Sequence, residues 1–398
     1  MADLLKGVRV VSFNHFLMGP VGVQFLADLG ADVIAIEPPD GAFQRKWGGA
    51  DKSVDSQTML LLTGNRNKRS LTLDLKKPEA IEVARKLVAT ADVLAENFRP
   101  GVLDKLGLGF AEVRKIKPDI IYAAASGYGP DGPYVNRPGQ DLLVQALSGL
   151  ATITGTREHG PRAVGVSAID HHGAALFAAG ILAALVKKER TGQGGRVDVS
   201  LLSAAIDLQM ESFTCYLNGE RPDDVRQPAS IAGWIYGAPY GIYATRDGHV
   251  AISLGSLDTL GDALAIPVAQ RIPDSDAYSR RDEAARIIAA RVAELTTTEC
   301  VESLESRNVW HAAINDYCDV VADPQVTHNK SFQTVQGATG KPVTLVSHPV
   351  RYDGEVPEIR LPPQKLGAQS EEILRELGYD AAQMQALYAR GAVGAAVE

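Results

Sequence analysis

The sequence predicts an α/β protein with a Rossmann-like, doubly wound large domain and a smaller α/β domain. Three observations carry this expectation. Between Val8 and Gly129 short β-branched runs alternate with helical patterns, as the βαβ units of a parallel sheet require. The 398 residues exceed what one hydrophobic core ordinarily supports, so two domains are expected. From Gly219 to Gly241 the composition turns to Pro, Gly and Asp, which marks a connection between them.

In chain order, strands are expected at Val8–Phe13, Val33–Glu37, Ser70–Leu75, Val93–Glu96 and Ile120–Ala125. Helical patterns fill the gaps at Val21–Leu29, Pro78–Thr90 and Val102–Ile116; Pro78 suits a first helical turn, where its missing N–H costs nothing. Residues 140–215 read as helical apart from a strand near Arg196–Val199, which follows the turn signal Thr191-Gly192-Gln193-Gly194-Gly195. The apolar run Gly173–Val186 is as long as a core helix and shorter than the ~20 residues of a membrane span. A second βα-type region runs from Ile242 to Tyr317, with a strand at Gly248–Leu254 and a helix at Arg280–Leu295. Strands return at Lys341–Ser347 and Glu358–Leu361, before two amphipathic helices after Gln369.

Forty basic and 48 acidic residues give a net charge of −8 without a basic block, so no nucleic-acid partner is expected. Cys215, Cys300 and Cys318 form neither a zinc-site spacing nor a disulfide framework. No metal site is expected, and a reducing, cytoplasmic setting fits best. The N-terminal residues lack the apolar stretch of a secretory signal, and no membrane partner is expected.

Four places could carry chemistry. The first βα turn, Asn14 to Pro20, stands where a nucleotide meets a helix N-terminus but lacks G-x-G-x-x-G; Glu37 is where a dehydrogenase binds ribose, or is simply a strand end. The basic stretch Gly64-Asn65-Arg66-Asn67-Lys68-Arg69-Ser70, with Asp74 to Pro78 after it, reads either as a solvated face or as a phosphate site. Asp170 precedes the apolar helix. Capping is the pattern's favoured role for it, and an ionised carboxylate there can also act as a covalent nucleophile. His171 and His172 beside it could orient nearby groups.

The run Ala95-Glu96-Asn97-Phe98-Arg99-Pro100-Gly101-Val102-Leu103-Asp104-Lys105-Leu106-Gly107-Leu108 resembles the signature of family III CoA-transferases, the formyl-CoA transferase and carnitine CoA-transferase group. Asn67-Lys68-Arg69-Ser70, Ser126-Gly127-Tyr128-Gly129, Gln145-Ala146-Leu147-Ser148-Gly149, Arg190-Thr191-Gly192-Gln193-Gly194 and the tail Glu372 to Tyr379 recur in the family's order.

The resemblance implies a CoA-transferase in which Asp170 is the catalytic carboxylate and His15, Phe16, Met18, Leu73, Lys76, Asn97, Phe98 and Lys105 contact coenzyme A. CoA is then a substrate, and no cofactor is tightly bound. Gln140, Gly237 and Gly241 are candidates for the substrate site, with backbone amides from Gly237 to Gly241 as oxyanion donors. Pro38 stands where formyl-CoA transferase has an arginine, and Arg45 or Arg66 could replace it. The expected partners are an acyl-CoA, a carboxylic acid and a second copy of the chain in an interlocked homodimer. The implied domains are 1–215 for the first part of the large domain, 216–325 for linker and small domain, and 326–398 for the return.

Two other activities remain open. A 2-methylacyl-CoA racemase of the same superfamily typically has Gly-His-Asp where this chain has Gly139-Gln140-Asp141, and glutamine has no titratable proton. A nicotinamide-dependent oxidoreductase would want the missing glycine fingerprint.

Overall fold

The computed structural model describes residues 3–219, 221–228 and 230–394. The chain divides into two compact units, Met1–Val144 with Ser167–Leu208 and Pro324–Glu398, and Gln145–Val166 with Gln209–Asp323.

The first unit is built on six parallel strands: β1 Arg9–Phe13, β2 Asp32–Glu37, β3 Lys68–Thr72, β4 Val93–Glu96, β5 Ile121–Ser126 and β6 Gly195–Ser200. Their order in the sheet is β3-β2-β1-β4-β5-β6. In β1 and β2 successive residues are buried on both faces, Val10 and Val11 or Val33 and Ile34 alike, which is why these two strands read as continuous apolar runs rather than alternating ones. On one face Val11, Ile34, Leu71 and Leu94 pack with α2 (Pro78–Ala89), α4 (Phe110–Ile116) and the C-terminal helices α8 (Ser370–Glu376) and α9 (Ala381–Ala389). α3, the single turn Val102–Lys105, precedes α4; the expected continuous helix is broken there because Gly107 takes φ +68°.

The helices α1 (Met18–Asp28) and α6 (Ala168–Thr191) pack against each other, α1 also touching β1 and β2 and α6 touching β5 and β6. Glycines set their separation. A Cβ on Gly22 would lie 2.9 Å from the Phe177 ring and 3.1 Å from the Ala174 carbonyl, and one on Gly173 would lie 2.9 Å from the Met18 methyl. At 24 residues α6 outruns the apolar stretch marked in the sequence, and by length and hydropathy alone it is long enough to cross a membrane. Its buried residues, Ile169, Gly173, Ala174, Phe177, Ala178 and Ile181, recur at helical spacing along one face.

The basic stretch after Gly64 is internal, which corrects its reading as a solvated face or phosphate site. Arg66 forms a two-pronged pair with Asp28 at 3.0 and 2.7 Å, their side chains only 4% and 2% exposed. Burial alone would raise Asp28, but bonds from His348, Arg66 and Asn67 outweigh it and hold the carboxyl below its usual range. Lys68 is enclosed and donates to the carbonyls of Pro20 and Gly64; burial pushes it down to about 7. Arg69 pairs with Asp32, Glu372 and Glu376.

This same stretch anchors the returning chain. Arg66 donates to the Val346 carbonyl of the hairpin Phe332–Gln336/Pro342–Val346. Asn67 donates its main-chain N–H to Leu361 and accepts from the amides of Arg360 and Leu361 with its side chain. Residues 358–361, expected as a strand, are therefore an extended tether bonded to Asn67 and to the Gln333 side chain rather than a member of a sheet.

The second unit holds a three-stranded antiparallel sheet of Gly241–Ala244, His249–Ile252 and His311–Ala313, where the sequence suggested a βα-type region. Its core includes Tyr243, Val250, Ile288 and Leu304, the last two from the helices Arg281–Val292 and Thr297–Glu305. Residues 145–166, assigned from sequence to the large domain, group with this unit because their polar bonds lie inside it: Val164 N–H donates to Gln145, and Gln209 and Gln227 donate to the carbonyls of Ser148 and Ile153.

Candidate active site

In a sheet of order 3-2-1-4-5-6, the chain leaves β1 towards one edge and β4 towards the other, which opens a crevice beyond their carboxyl ends. Phe13 lies opposite Glu96 at those ends. Just beyond them, His15 and Asn97 are locked by a reciprocal pair: His15 N–H donates to the Asn97 side chain at 2.8 Å, and the Asn97 amide donates to the His15 carbonyl at 2.7 Å. The His15 ring lies 5.1 Å from Phe98 and 4.9 Å from Phe16. Burial pushes His15 down to about 4, so it is neutral at pH 7.

Phe16 takes φ +60°, unusual for a bulky residue, and is held there by its N–H bond to Gln44 and its packing 4.2 Å from Phe43. The signature residue Glu96 accepts the Phe98 N–H at 2.8 Å and so shapes the turn. Burial pushes Glu96 up to about 7.

α1 starts immediately after Phe16 and Leu17, so the closely packed α6 brings its own first turn to the same place. There the Met18 main-chain N–H faces the Asp170 carboxylate and favours its ionised form. Burial, reinforced by the charge of Asp141, nevertheless pushes Asp170 up to about 7.

Asp170 is not the cap of α6. Ser167, at the N-cap position, makes no side-chain bond, and the capping oxygen comes from Asp141 at the start of α5 (Asp141–Leu147), which accepts from Ile169 N–H at 2.8 Å and Asp170 N–H at 2.9 Å. The capping reading of Asp170 is thereby corrected. Its carboxylate points to α1 instead.

His15, Phe16, Met18, Asn97, Phe98 and Asp170 thus belong to one neighbourhood. Lys76, beyond β3, and Lys105, in α3, are exposed near the same carboxyl edge of the sheet. Leu73 is only 1% exposed, and its side chain belongs to the core. Gln140 is exposed directly before Asp141.

Gly237 and Gly241 lie in the second unit, where a Cβ would strike the carbonyls of Ala277 and Ser230 respectively. Of the amides between them, Ala238 donates to Ala277 and Tyr240 to Gly237, while Pro239 has none. Those three cannot serve an oxyanion.

Neither arginine offered in place of Pro38 is free for the task. Arg66 is buried on Asp28, and Arg45 grips Glu37 with two bonds of 2.6 Å. The same grip occupies Glu37, which removes its reading as a ribose ligand. His172 is engaged with Asp207 at 2.7 Å.

Sequence reasoning missed Asp141 and Gln44. An Asp opening a helix was the available signal for Asp141, but it does not reveal that the residue caps a different helix. For Gln44 there was no local signal. Among the described residues there is no cluster of His, Cys, Asp and Glu able to hold a metal.

Known proteins resemble the chain over nearly its whole length. The profile described as CoA-transferase family III matches residues 5–370. A succinyl-CoA:glutarate CoA-transferase from Mus musculus is 32% identical, covering 98% of this chain and 90% of its own length. A succinate–glutarate CoA-transferase from Agrobacterium fabrum is 30% identical over 94% of this chain and 95% of its own. A crystal structure of a CAIB/BAIF family protein from Brucella suis superposes with a TM-score of 0.81 at 29% identity, covering 94% of this chain and 99% of that one.

Proposed function

The chain belongs to CoA-transferase family III and is a CoA-transferase, and from that premise we propose that Asp170 receives the acyl group during transfer. The observation that carries the proposal is the placement of this partly buried carboxylate, uncommitted to capping, against the first turn of α1 beside the β1/β4 crevice. The ionised Asp170 attacks the donor thioester carbonyl, and the C–S bond breaks to release CoA thiolate and leave a mixed anhydride. The thiolate then attacks the aspartyl carbonyl, expelling the donor acid as its carboxylate and forming an aspartyl-CoA thioester. An acceptor carboxylate reverses both steps and leaves as the new acyl-CoA, with Asp170 restored.

A carboxylate is a weak nucleophile, so positioning supplies much of the rate. Met18 N–H favours the ionised, attacking form of Asp170, and the Asn97 pair fixes the turn that carries it. Phe98 and Phe16 offer apolar surface to the CoA chain, while Lys76 and Lys105 offer positive charge to its phosphates.

Relatives named for succinate and glutarate make short dicarboxylates the first acids to test. Incubating succinyl-CoA with a panel of mono- and dicarboxylic acids, with mass detection of new thioesters, tests the reading; no new thioester from any acid overturns it. Deuterium exchange at the α-carbon of a 2-methylacyl-CoA is expected to be absent, since Gln140 cannot carry the proton.

The active form is proposed to be an interlocked homodimer. Support comes from large apolar side chains left open in each unit, Leu142 and Val186 in the first, Trp310 (72%) and Tyr317 (84%) in the second. A cytoplasmic setting is proposed with it, consistent with exposed free thiols at Cys215 and Cys318.

A further inference from the structure

We infer that Asp141 is a positioning residue for acyl transfer: by capping α6 from a separate helix it holds the Asp170 backbone in place and sets the charge environment of the Asp170 carboxylate. The inference rests on Asp170 being the acyl-accepting group.

The geometry is specific. One oxygen of Asp141 accepts from two consecutive amides, those of Ile169 and Asp170, so it grips the backbone of the reacting residue itself. An N-cap normally comes from the residue that precedes the helix. Here Ser167 occupies that position without a side-chain bond, and the oxygen arrives from 29 residues upstream of Asp170. The arrangement satisfies the helix N-terminus while leaving the carboxylate of Asp170, at the third helical position, to meet α1 rather than its own backbone.

A second carboxylate this near also has an electrostatic effect. Like charge favours the protonated form of Asp170, adding to the effect of its burial. A carboxylate of raised basicity is the better nucleophile once ionised, by Brønsted behaviour.

The other groups around Asp170 are few. His171 follows it on α6, lowered by burial against the pull of Asp141. His15, before α1, is neutral. Asp28 at the far end of α1 is paired with Arg66, and Asp207 on α7 (Leu201–Leu208) is bound to His172. Asp141 is the charge that adds to burial in raising Asp170.

The test compares pH profiles of kcat/KM for wild type, Asp141→Asn and Asp141→Glu in the full-length protein. Asparagine keeps an oxygen for the two amides and removes the charge. In wild type the rate should rise with pH through an apparent pKa near 7 as Asp170 ionises. In Asp141→Asn this limb should move to lower pH by about one unit or more, the lower range for losing a nearby like charge. In Asp141→Glu, where charge returns, the limb should move back towards that of wild type.

A limb that stays in place in folded Asp141→Asn, or a loss of rate equal at every pH, overturns the inference and leaves Asp141 a helix cap alone. Should Asp141→Asn not fold, the limb is read in Asp141→Ser, which also provides a neutral capping oxygen. Asp170→Ala is run alongside: if it retains transfer, the catalytic reading of Asp170 is what fails, independently of the Asp141 result.

Discussion

The main-chain N–H of Met18, the first residue of α1, faces the carboxylate of Asp170 in the first turn of α6 and favours its charged form. The two helices come this close because they approach at glycines. Gly22 faces the Phe177 ring and the rigid Ala174 carbonyl, whereas Gly173 faces the flexible end of Met18. Gly22→Val should therefore lose about 1–3 kcal/mol from overpacking and lose transfer activity with it. Gly173→Ala should stay close to wild type, because the thioether can turn aside. Thermal melts and initial rates check both, and equal behaviour of the two would contradict the packing argument.

Replacing Asp170 with Ala should abolish transfer without unfolding the protein, since Asp141 and not Asp170 caps the helix. The stability cost should fall below the roughly 0.5–2 kcal/mol expected for a lost cap. Hydroxylamine treatment during turnover should modify the wild-type peptide containing Asp170 and leave the variant untouched.

Asp170 also imposes a pH dependence on stability. Its pKa is about 7 in the folded chain against an ordinary 3.8, so the folded state holds the proton more tightly. The corresponding stabilisation is complete below 3.8 and is lost as pH rises towards 7, beyond which the charged group only costs. Asp170→Asn should consequently melt higher than wild type at pH 8, and this advantage should shrink at pH 5. Differential scanning calorimetry at the two pH values measures the difference; an advantage that grows in acid would reverse the assignment.

The basic residues are expected to divide into a structural set and a CoA-binding set. Arg66→Ala strands Asp28 in the interior and should cost about 3–5 kcal/mol. Lys76→Ala and Lys105→Ala should leave the melting temperature unchanged while weakening CoA binding, most visibly at low ionic strength, where exposed charges are least screened. Calorimetric titration with CoA at two salt concentrations separates the sets. Unchanged affinity in both lysine variants would remove them from the site.

In solution the protein should remain dimeric on dilution to nanomolar concentration, because interlocked chains separate only by unfolding. Light scattering and activity on the diluted sample test this. A folded, active species of single-chain mass would refute interlocking.

The sequence by itself determined the parallel βαβ sheet, the long helix behind Asp170 and the family signature at Glu96–Lys105, because β-branched runs, 3.6-residue periodicity and short motifs are local properties. Other features depend on residues far apart in the chain. The Gly64–Ser70 stretch looked like an exposed basic cluster because a sequence shows charge but not compensation, and its partner Asp28 lies 38 residues from Arg66. Residues 358–361 have the composition of a strand, yet their main-chain groups meet Asn67 and the Gln333 side chain and not a sheet edge. That Asp141 and not Asp170 caps the start of α6 was likewise decided only by the fold. An aspartate before a helix satisfies the helix N-terminus unless another oxygen already does so, and only tertiary packing delivers Asp141 to those amides and leaves Asp170 facing Met18.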